Sequence, residues 1–223
     1  MSIPVPPFAV LWDMDGTLID SEHHWLSSES ELASEHGIDW TPEDGLDLVG
    51  LSLLESSKII KHKLDSDLSP QEITDRLTEM VTAKLVGTLP WRPGAVELLR
   101  ELKAAGIKTA LVTMSMRRMA ARVADSLGFD AFDLIVAGDD VVLGKPNPEA
   151  YLKAAAGLGF LPEQCVAIED SKTGLTAAEL AGTKAIGVPN IVSIPAEPGR
   201  ILWPTLSGVT LADLQSLFKE SND

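Results

Sequence analysis

Short apolar runs that alternate with longer amphipathic stretches constrain the fold of this chain more than any other feature. Each run has the length of a strand buried on both faces, and they fall at residues 8–12, 107–112, 134–136, 166–168 and 184–188. Helical periodicity fills the stretches at residues 95–105, 116–127, 148–158, 173–181 and 211–218. This alternation predicts an α/β fold: a doubly wound parallel sheet, Rossmann-like, with helices on both faces.

Residues 21–85 interrupt the alternation directly after the first predicted strand. Helical periodicity dominates there and no strong strand signal appears. The segment 89–94, Leu-Pro-Trp-Arg-Pro-Gly, then breaks the chain before the alternation resumes. We therefore expect a catalytic core built from residues 1–20 and 89–223, with an inserted helical cap domain at 21–88.

Composition and charge argue against several classes of protein. The chain has 223 residues and a net charge of -15, which is unfavourable for binding nucleic acid or an anionic membrane. Its single cysteine, Cys165, rules out an intrachain disulfide framework, and residues 1–7 lack the basic start of a signal peptide. We expect a soluble, cytoplasmic protein without nucleic-acid or membrane partners. No long coiled coil or swapped arm is evident, so we expect a monomer.

Polar and charged side chains follow each of the first four predicted strands. Ligands bind at the carboxyl ends of the strands in sheets of this kind, so these side chains are expected to share one edge. In chain order they are Asp13 and Asp15, then Thr113 and Ser115, then Asp139, Asp140 and Lys145, and last Glu169, Asp170 and Ser171. This convergence predicts a functional site without any knowledge of a family. Asp139 and Asp140 are equally well explained as residues that only solvate a turn.

The carboxylates at this edge require a cation. Asp13, Asp15, Glu169 and Asp170 would repel one another strongly in a partly buried site. A hard divalent cation relieves that repulsion, and ligation by oxygen atoms alone favours Mg²⁺.

The other residues at this edge fit a phosphoryl group. Lys145 supplies a positive charge, Thr113 a hydroxyl, and the turn at Met114 supplies N–H donors, which together form a cradle for phosphoryl oxygens. Two aspartates two positions apart, Asp13 and Asp15, can divide the chemistry between a nucleophile and a general acid that later serves as the base.

Four segments in this order resemble the motifs of the haloacid dehalogenase (HAD) superfamily. Asp-Met-Asp-Gly-Thr-Leu at 13–18 resembles the first, Leu-Val-Thr at 111–113 the second, Gly-Lys-Pro-Asn-Pro at 144–148 the third and Ile-Glu-Asp-Ser at 168–171 the fourth. All four motifs in order at the proper spacing are very specific for the superfamily, and the resemblance covers nearly the whole chain. Asp-Ser-Glu at 20–22 is similar to the subgroup of sugar-phosphate phosphatases and β-phosphoglucomutases, which carry a helical cap.

The resemblance implies a role for each residue of these motifs. Asp13 would form an aspartyl-phosphate intermediate and Asp15 would act as the general acid and base. Phosphate would be bound by Thr113, Met114 and Lys145. The implied activity is that of a phosphoric monoester hydrolase acting on a small phosphorylated metabolite, with a sugar monophosphate as the expected substrate.

The resemblance also implies the magnesium ligands and the residues beside the substrate. The ion would be held by Asp13, the backbone carbonyl of Asp15 and Asp170, with Glu169 assisting. Candidate substrate contacts are Glu22, His23, His24, Trp25 and Ser171, although Ser171 is also a good N-cap for the helix that follows it.

Two other functions stay open on the sequence. A phosphomutase of this subgroup would carry a histidine shortly after Asp-Ser-Glu and an arginine after a cap glycine. This chain has Trp25 and Leu53 at the best-matching positions. His24 would match the histidine only if the alignment slipped by one residue. A signalling receiver that accepts a phosphoryl group on aspartate is less consistent, because such domains are shorter and lack an inserted cap. A dehalogenase would have no use for Asp15, and the phosphonate-cleaving branch of the superfamily usually lacks this second aspartate.

Overall fold

The computed structural model describes residues 8–87 and 89–219. The segment 1–7, on which the signal-peptide expectation rests, lies outside the described residues, as do residue 88 of the predicted cap boundary and residues 220–223. Within the described part of the chain, every helix is too short or too polar to cross a lipid bilayer.

A single sheet of six parallel strands forms the centre of the fold. The strands are β1 (Ala9–Trp12), β2 (Lys108–Val112), β3 (Leu134–Val136), β4 (Cys165–Glu169), β5 (Lys184–Gly187) and β6 (Ile201–Leu202). Their order is β3-β2-β1-β4-β5-β6, and every neighbouring pair is parallel. The predicted doubly wound parallel sheet is confirmed. The edge strand β6 was not predicted, because an apolar segment of 2 residues has no readable periodicity.

The helices follow the predicted alternation to within two residues at each end. Those outside the insertion are α5 (Ala95–Ala104), α6 (Arg117–Asp125), α7 (Glu149–Leu158), α8 (Lys172–Leu180) and α9 (Leu211–Ser216). Between β1 and α5 lie α1 (Glu22–Glu35), α2 (Pro42–Leu46), α3 (Leu53–Leu64) and α4 (Pro70–Lys84). We call these first four helices the four-helix insertion.

The two faces of the sheet explain why the first strand is apolar throughout. Val10 and Trp12 belong to the hydrophobic cluster on one face of β1, and Ala9 and Leu11 belong to the cluster on the other. All four side chains are fully buried. A strand covered by helices on both sides has no solvent-facing position, so its sequence does not alternate between apolar and polar residues.

The four-helix insertion is built from helices with well-defined starts. Thr41 and Ser69 form capping boxes at the starts of α2 and α4, and each of these helices has proline in its first turn. Helix α4 packs against α1 and α3. Arg118 of α6 also donates a hydrogen bond of 2.8 Å to Asp75 of α4. The insertion therefore contacts the sheet-bearing part of the chain, while its status as a separate cap domain stays a prediction.

Candidate active site

Lys145 joins the ends of three strands at the carboxyl edge of the sheet. Its Nζ donates hydrogen bonds to Asp13 Oδ1 at 2.7 Å, to Glu169 Oε1 at 2.6 Å and to the backbone carbonyl of Val112 at 3.0 Å. Asp13 follows β1, Glu169 ends β4, and Val112 ends β2. The lysine side chain is 3% exposed. Residues far apart in the sequence are thus brought into one buried ion-pair network.

The charge of Lys145 is secured by its two carboxylate partners. Burial, the largest single influence, lowers the pKa of the ammonium, but the attraction of Asp13 and Glu169 outweighs it and raises the pKa above its usual range. Lys145 is therefore a permanent cation. One positive charge does not balance the carboxylates around it.

Three carboxylates converge beside this lysine. Asp13, Glu169 and Asp170 each offer an oxygen atom, and these atoms lie within 4.8 Å of one another. Burial and mutual repulsion raise the pKa of both Asp13 and Asp170. Such a group is stable in its charged form only with a further cation, and a set of hard oxygen donors suits a divalent ion such as Mg²⁺.

Two glycines make this convergence possible. A Cβ atom on Gly16 would lie 1.9 Å from Asp170 Oδ2, and the φ angle of Gly16 is +81°, which favours glycine in any case. A Cβ atom on Gly174, in the first turn of α8, would lie 2.0 Å from Glu169 Oε2. Both carboxylates therefore pack directly against backbone.

Glu169 has a second partner that the sequence did not identify. The hydroxyl of Tyr151, buried in α7, donates a short hydrogen bond to Glu169 Oε1, the same atom that accepts from Lys145. The tyrosine lies six positions after Lys145, and it is the single tyrosine of the chain. A buried phenol hydroxyl needs a hydrogen-bond acceptor, and this requirement was the signal that could have linked Tyr151 to the site.

Asp15 is bound by hydroxyl and indole donors on both of its oxygens. Oδ1 accepts from Ser21 Oγ at 2.6 Å and from Trp25 Nε1 at 2.9 Å. Oδ2 accepts from Ser115 Oγ at 2.7 Å, with Thr113 Oγ1 farther away at 3.4 Å. These donors stabilise the carboxylate form and tie Asp15 both to the four-helix insertion and to the loop after β2.

Sequence reasoning missed Ser21 and Ser115 as partners of Asp15. Ser115 was noted after the second strand but was given no role, and Ser21 was considered only as part of the Asp-Ser-Glu segment. In the loop after β2, Thr113 Oγ1 accepts from the backbone N–H of Ser115 at 3.0 Å, which shapes the turn.

A cavity opens between this edge of the sheet and the four-helix insertion. The predicted site residues that line it are Asp13, Asp15, Glu22, Trp25, Thr113, Met114, Lys145, Asp170 and Ser171. Glu169 lies behind Lys145 and does not reach the cavity surface.

His23 and His24, which the sequence offered as substrate contacts, do not line the cavity. Helix α1 turns Glu22, Trp25 and Glu29 toward it, at positions i, i+3 and i+7, so the two histidines fall on other sides of the helix. His23 is exposed and its ring lies 3.8 Å from that of His24, centroid to centroid.

Two glutamates give the insertion side of the cavity an acidic character. Burial raises the pKa of Glu22 to about 8, with smaller contributions from Asp15, Asp13 and Asp20. Burial and then the charge of Glu22 raise the pKa of Glu29 to about 8. Glu29 was not identified from the sequence.

With this geometry in place, similarity to known proteins decides the family. A family model for haloacid dehalogenase-like hydrolases matches residues 9–182. The chain belongs to the haloacid dehalogenase-like hydrolases. The predicted superfamily is thereby confirmed, and the motif residues discussed above lie inside the matched region.

Relatives of this hydrolase include proteins named as phosphatases of phosphorylated carbohydrates and hexitols. The phosphorylated carbohydrates phosphatase of Thermotoga maritima is 34% identical over 179 residues, covering 80% of this chain and 83% of the relative. Hexitol phosphatase B of Escherichia coli K12 is 32% identical over 192 residues, covering 85% and 86%. The crystal structure of CbbY from Rhodobacter sphaeroides in complex with Xylulose-(1,5)bisphosphate has a TM-score of 0.84 at 30% identity, covering 94% of this chain and 99% of that chain. The prediction of a phosphoric monoester hydrolase is confirmed by the family match and by these relatives.

The remaining sequence candidates have structural roles in this hydrolase. Asp139 Oδ1 accepts the backbone N–H of Arg117 at 2.8 Å, and Asp140 forms an ion pair with the Arg117 guanidinium. Both aspartates therefore brace a turn beside helix α6. Ser171 Oγ accepts the backbone N–H of Gly174 at 3.0 Å and caps α8, while it also lines the cavity.

Proposed function

We propose that this haloacid dehalogenase-like hydrolase is a Mg²⁺-dependent phosphatase that acts on a sugar or polyol monophosphate through an aspartyl-phosphate on Asp13. The observation that carries the proposal is the buried ion-pair network of Lys145, Asp13 and Glu169, with Asp170 beside it and Asp15 nearby. The phosphatases among the relatives, which are named for phosphorylated carbohydrates and hexitols, support the substrate class.

In the first step, Asp13 attacks phosphorus. Its Oδ1 is bound by Lys145, which leaves Oδ2 free to form the new bond to phosphorus. The ester bond between phosphorus and the leaving oxygen breaks, and that oxygen takes a proton from Asp15. Lys145 stabilises the charge that develops on the phosphoryl oxygens.

In the second step, Asp15 has become a carboxylate and can accept a proton from water. The water oxygen bonds to phosphorus, the bond between phosphorus and Asp13 breaks, and inorganic phosphate leaves. Ser21, Trp25 and Ser115 favour this stage, because each donates a hydrogen bond to the anionic form of Asp15.

Asp13, Asp170 and the backbone carbonyl of Asp15 would hold Mg²⁺, with Glu169 behind them. Bound there, the ion would neutralise phosphoryl oxygens and reduce the repulsion among the carboxylates. Glu169 assists by positioning Lys145, since its Oε1 already accepts hydrogen bonds from Lys145 and Tyr151.

The charge of the cavity favours a substrate with one phosphate. Lys145 is the only cationic side chain among the described residues that line the cavity, and it lies at the Asp13 end. The insertion side presents the acids Glu22 and Glu29, which offer a second phosphoryl group no positive charge. The geometry of the described residues does not support a phosphomutase, since Trp25 donates to Asp15 and His24 lies outside the cavity.

We also propose that the four-helix insertion acts as a cap over the substrate, with hinges near residues 18–21 and 88–93. Indistinguishable scattering profiles and protease sensitivity with and without a phosphate mimic plus magnesium would contradict this movement. That the enzyme acts as a cytoplasmic monomer stays a prediction.

A panel of small phosphate esters tests the proposed activity. Phosphate release and isomerisation are both measured with and without Mg²⁺, using wild-type enzyme, Asp13→Asn and Asp15→Asn. We expect release that requires Mg²⁺ and is lost in both variants. Isomerisation of a hexose phosphate with little release would favour a mutase, and slow, stable labelling by acetyl phosphate without turnover would favour a signalling role.

A further inference from the structure

Glu29 is a buried acid that the proposed mechanism does not use. It lies two turns after Glu22 on helix α1, and its side chain faces the same cavity. The residue is 6% exposed, and its Oε2 atom has no hydrogen-bond partner within the described part of the chain. An unsatisfied buried polar atom destabilises the folded state. A leucine at this position would avoid that cost, so the carboxyl calls for a partner that arrives with a ligand.

The wall of the cavity is close-packed beside Glu29. Gly45 of α2 lines the same cavity, and a Cβ atom there would lie 3.0 Å from Glu29 Oε2 and 2.4 Å from Leu26 Cδ2. Glycine at this position therefore lets the Glu29 carboxyl pack against backbone on the cavity wall. No described residue donates a hydrogen bond to its Oε2 atom, so a partner for the carboxyl would have to come from a ligand in the cavity.

A hydroxyl group matches the Glu29 carboxyl. It can donate to a carboxyl oxygen when Glu29 is ionised, and it can accept from the carboxyl O–H when Glu29 is protonated. An apolar group would leave the carboxyl unsatisfied. A second phosphate would find no cation beside Glu29, because Lys145, at the Asp13 end, is the only cationic side chain among the described residues that line the cavity.

We propose that Glu29 is a specificity-determining residue that binds a hydroxyl group at the non-phosphorylated end of a polyol or sugar monophosphate. The inference rests on the proposed function for the phosphoryl end of the substrate. It adds a second recognition point on the insertion side of the cavity.

A matched pair of substrates tests this assignment. Hexitol 6-phosphate and hexyl phosphate have the same chain length and the same phosphoryl group, but only the first carries hydroxyls along its chain. With Mg²⁺ present, we expect Glu29→Leu to lower kcat/KM for hexitol 6-phosphate by about 10- to 100-fold, mainly through KM. For hexyl phosphate, kcat/KM should stay within about threefold of the wild type, because no hydrogen bond to the chain is lost.

Two further variants separate hydrogen bonding from folding. Glu29→Gln keeps the size of the side chain and should fall between wild type and Glu29→Leu on hexitol 6-phosphate. Glu79→Gln, an exposed glutamate on α4, removes the same charge from the insertion and should leave both substrates unaffected. Equal losses on the two esters, or no loss on either, would overturn the role of Glu29 in specificity. Preference for 6-aminohexyl phosphate over hexitol 6-phosphate would overturn the assignment to hydroxyls.

Binding measured without turnover distinguishes this inference from the proposed function. Calorimetry with Asp13→Asn protein and Mg²⁺ should give a Kd for hexitol 6-phosphate that rises by a similar factor when Glu29→Leu is added. If wild-type enzyme releases phosphate from neither ester while this binding difference persists, the proposed catalysis is wrong and the specificity role stands. If wild-type turnover is normal and the difference in Kd is missing, the proposed catalysis stands and the specificity role of Glu29 is wrong.

Discussion

Replacing Lys145 with methionine removes the cation on which the site is built. The change keeps most of the side-chain volume but leaves Asp13 Oδ1, Glu169 Oε1 and the carbonyl of Val112 without their shared donor. Asp13, Glu169 and Asp170 would then face one another with no positive charge among them.

The expected loss of stability is large because the whole network is buried. Removing one partner of a buried ion pair costs roughly 3–5 kcal/mol. For a chain of this size, each kcal/mol corresponds to about 2–4 °C in Tm. We therefore expect Lys145→Met to lower Tm by about 6–20 °C in EDTA.

Magnesium should restore part of this stability. Binding of an ion to the native carboxylates stabilises the fold by mass action, and the variant has more repulsion to relieve. Thermal unfolding in EDTA and in 10 mM Mg²⁺ measures both effects, with Lys172→Met, an exposed lysine at the start of α8, as the control for charge. A Tm in EDTA within about 2 °C of the wild type, or an equal response of both proteins to Mg²⁺, would refute the role assigned to this network.

Three further predictions follow from the geometry. Gly16→Ala should lower kcat/KM by at least about 100-fold and raise the Mg²⁺ concentration that gives half the maximal rate, because the added Cβ would displace Asp170. An unchanged dependence of the rate on Mg²⁺ would contradict this. Ser115→Ala removes a donor to Asp15 and should lower kcat by about 3- to 30-fold with little change in KM, as measured by initial rates. Burial raises the pKa of Glu29 from 4.5 to about 8. Between pH 4.5 and about 8, the folded state therefore binds more protons than the unfolded state. The free energy of unfolding falls as the pH rises through this range. We expect the free energy of unfolding of Glu29→Gln to exceed that of the wild type by about 1–3 kcal/mol at pH 8 and by little at pH 5, as measured by urea unfolding.

The parts of this fold that could be predicted are those whose physical cause is local in the sequence. The run at 8–12 is apolar throughout because β1 is buried on both faces, and this alone indicates a central parallel strand. Acidic, hydroxyl and lysine side chains after successive strands indicate a shared edge, and Asp13, Lys145 and Glu169 do meet there. The two-residue strand Ile201–Leu202 offers too little sequence for any periodicity.

The finer composition of the site depends on contacts that the sequence does not encode locally. Ser115 and Asp15 are 100 positions apart, and nothing in either segment indicates their hydrogen bond. Helical spacing from Glu22 does point to Glu29, seven positions later, but a glutamate in a cap helix is ordinarily a solvated residue. His23 is a candidate substrate contact on its chemistry alone, although the same helical spacing turns it away from the cavity.

Chemical trapping of the phosphorylated aspartate tests the central claim most directly. Asp15→Asn protein is incubated with Mg²⁺ and acetyl phosphate, whose good leaving group needs no acid, then treated with borohydride and digested for mass spectrometry. We expect reduction of Asp13 to homoserine, dependent on acetyl phosphate and missing in the Asp13→Asn/Asp15→Asn double variant. Phosphate release by the wild type without any label on Asp13, or with the label on another aspartate, would contradict it.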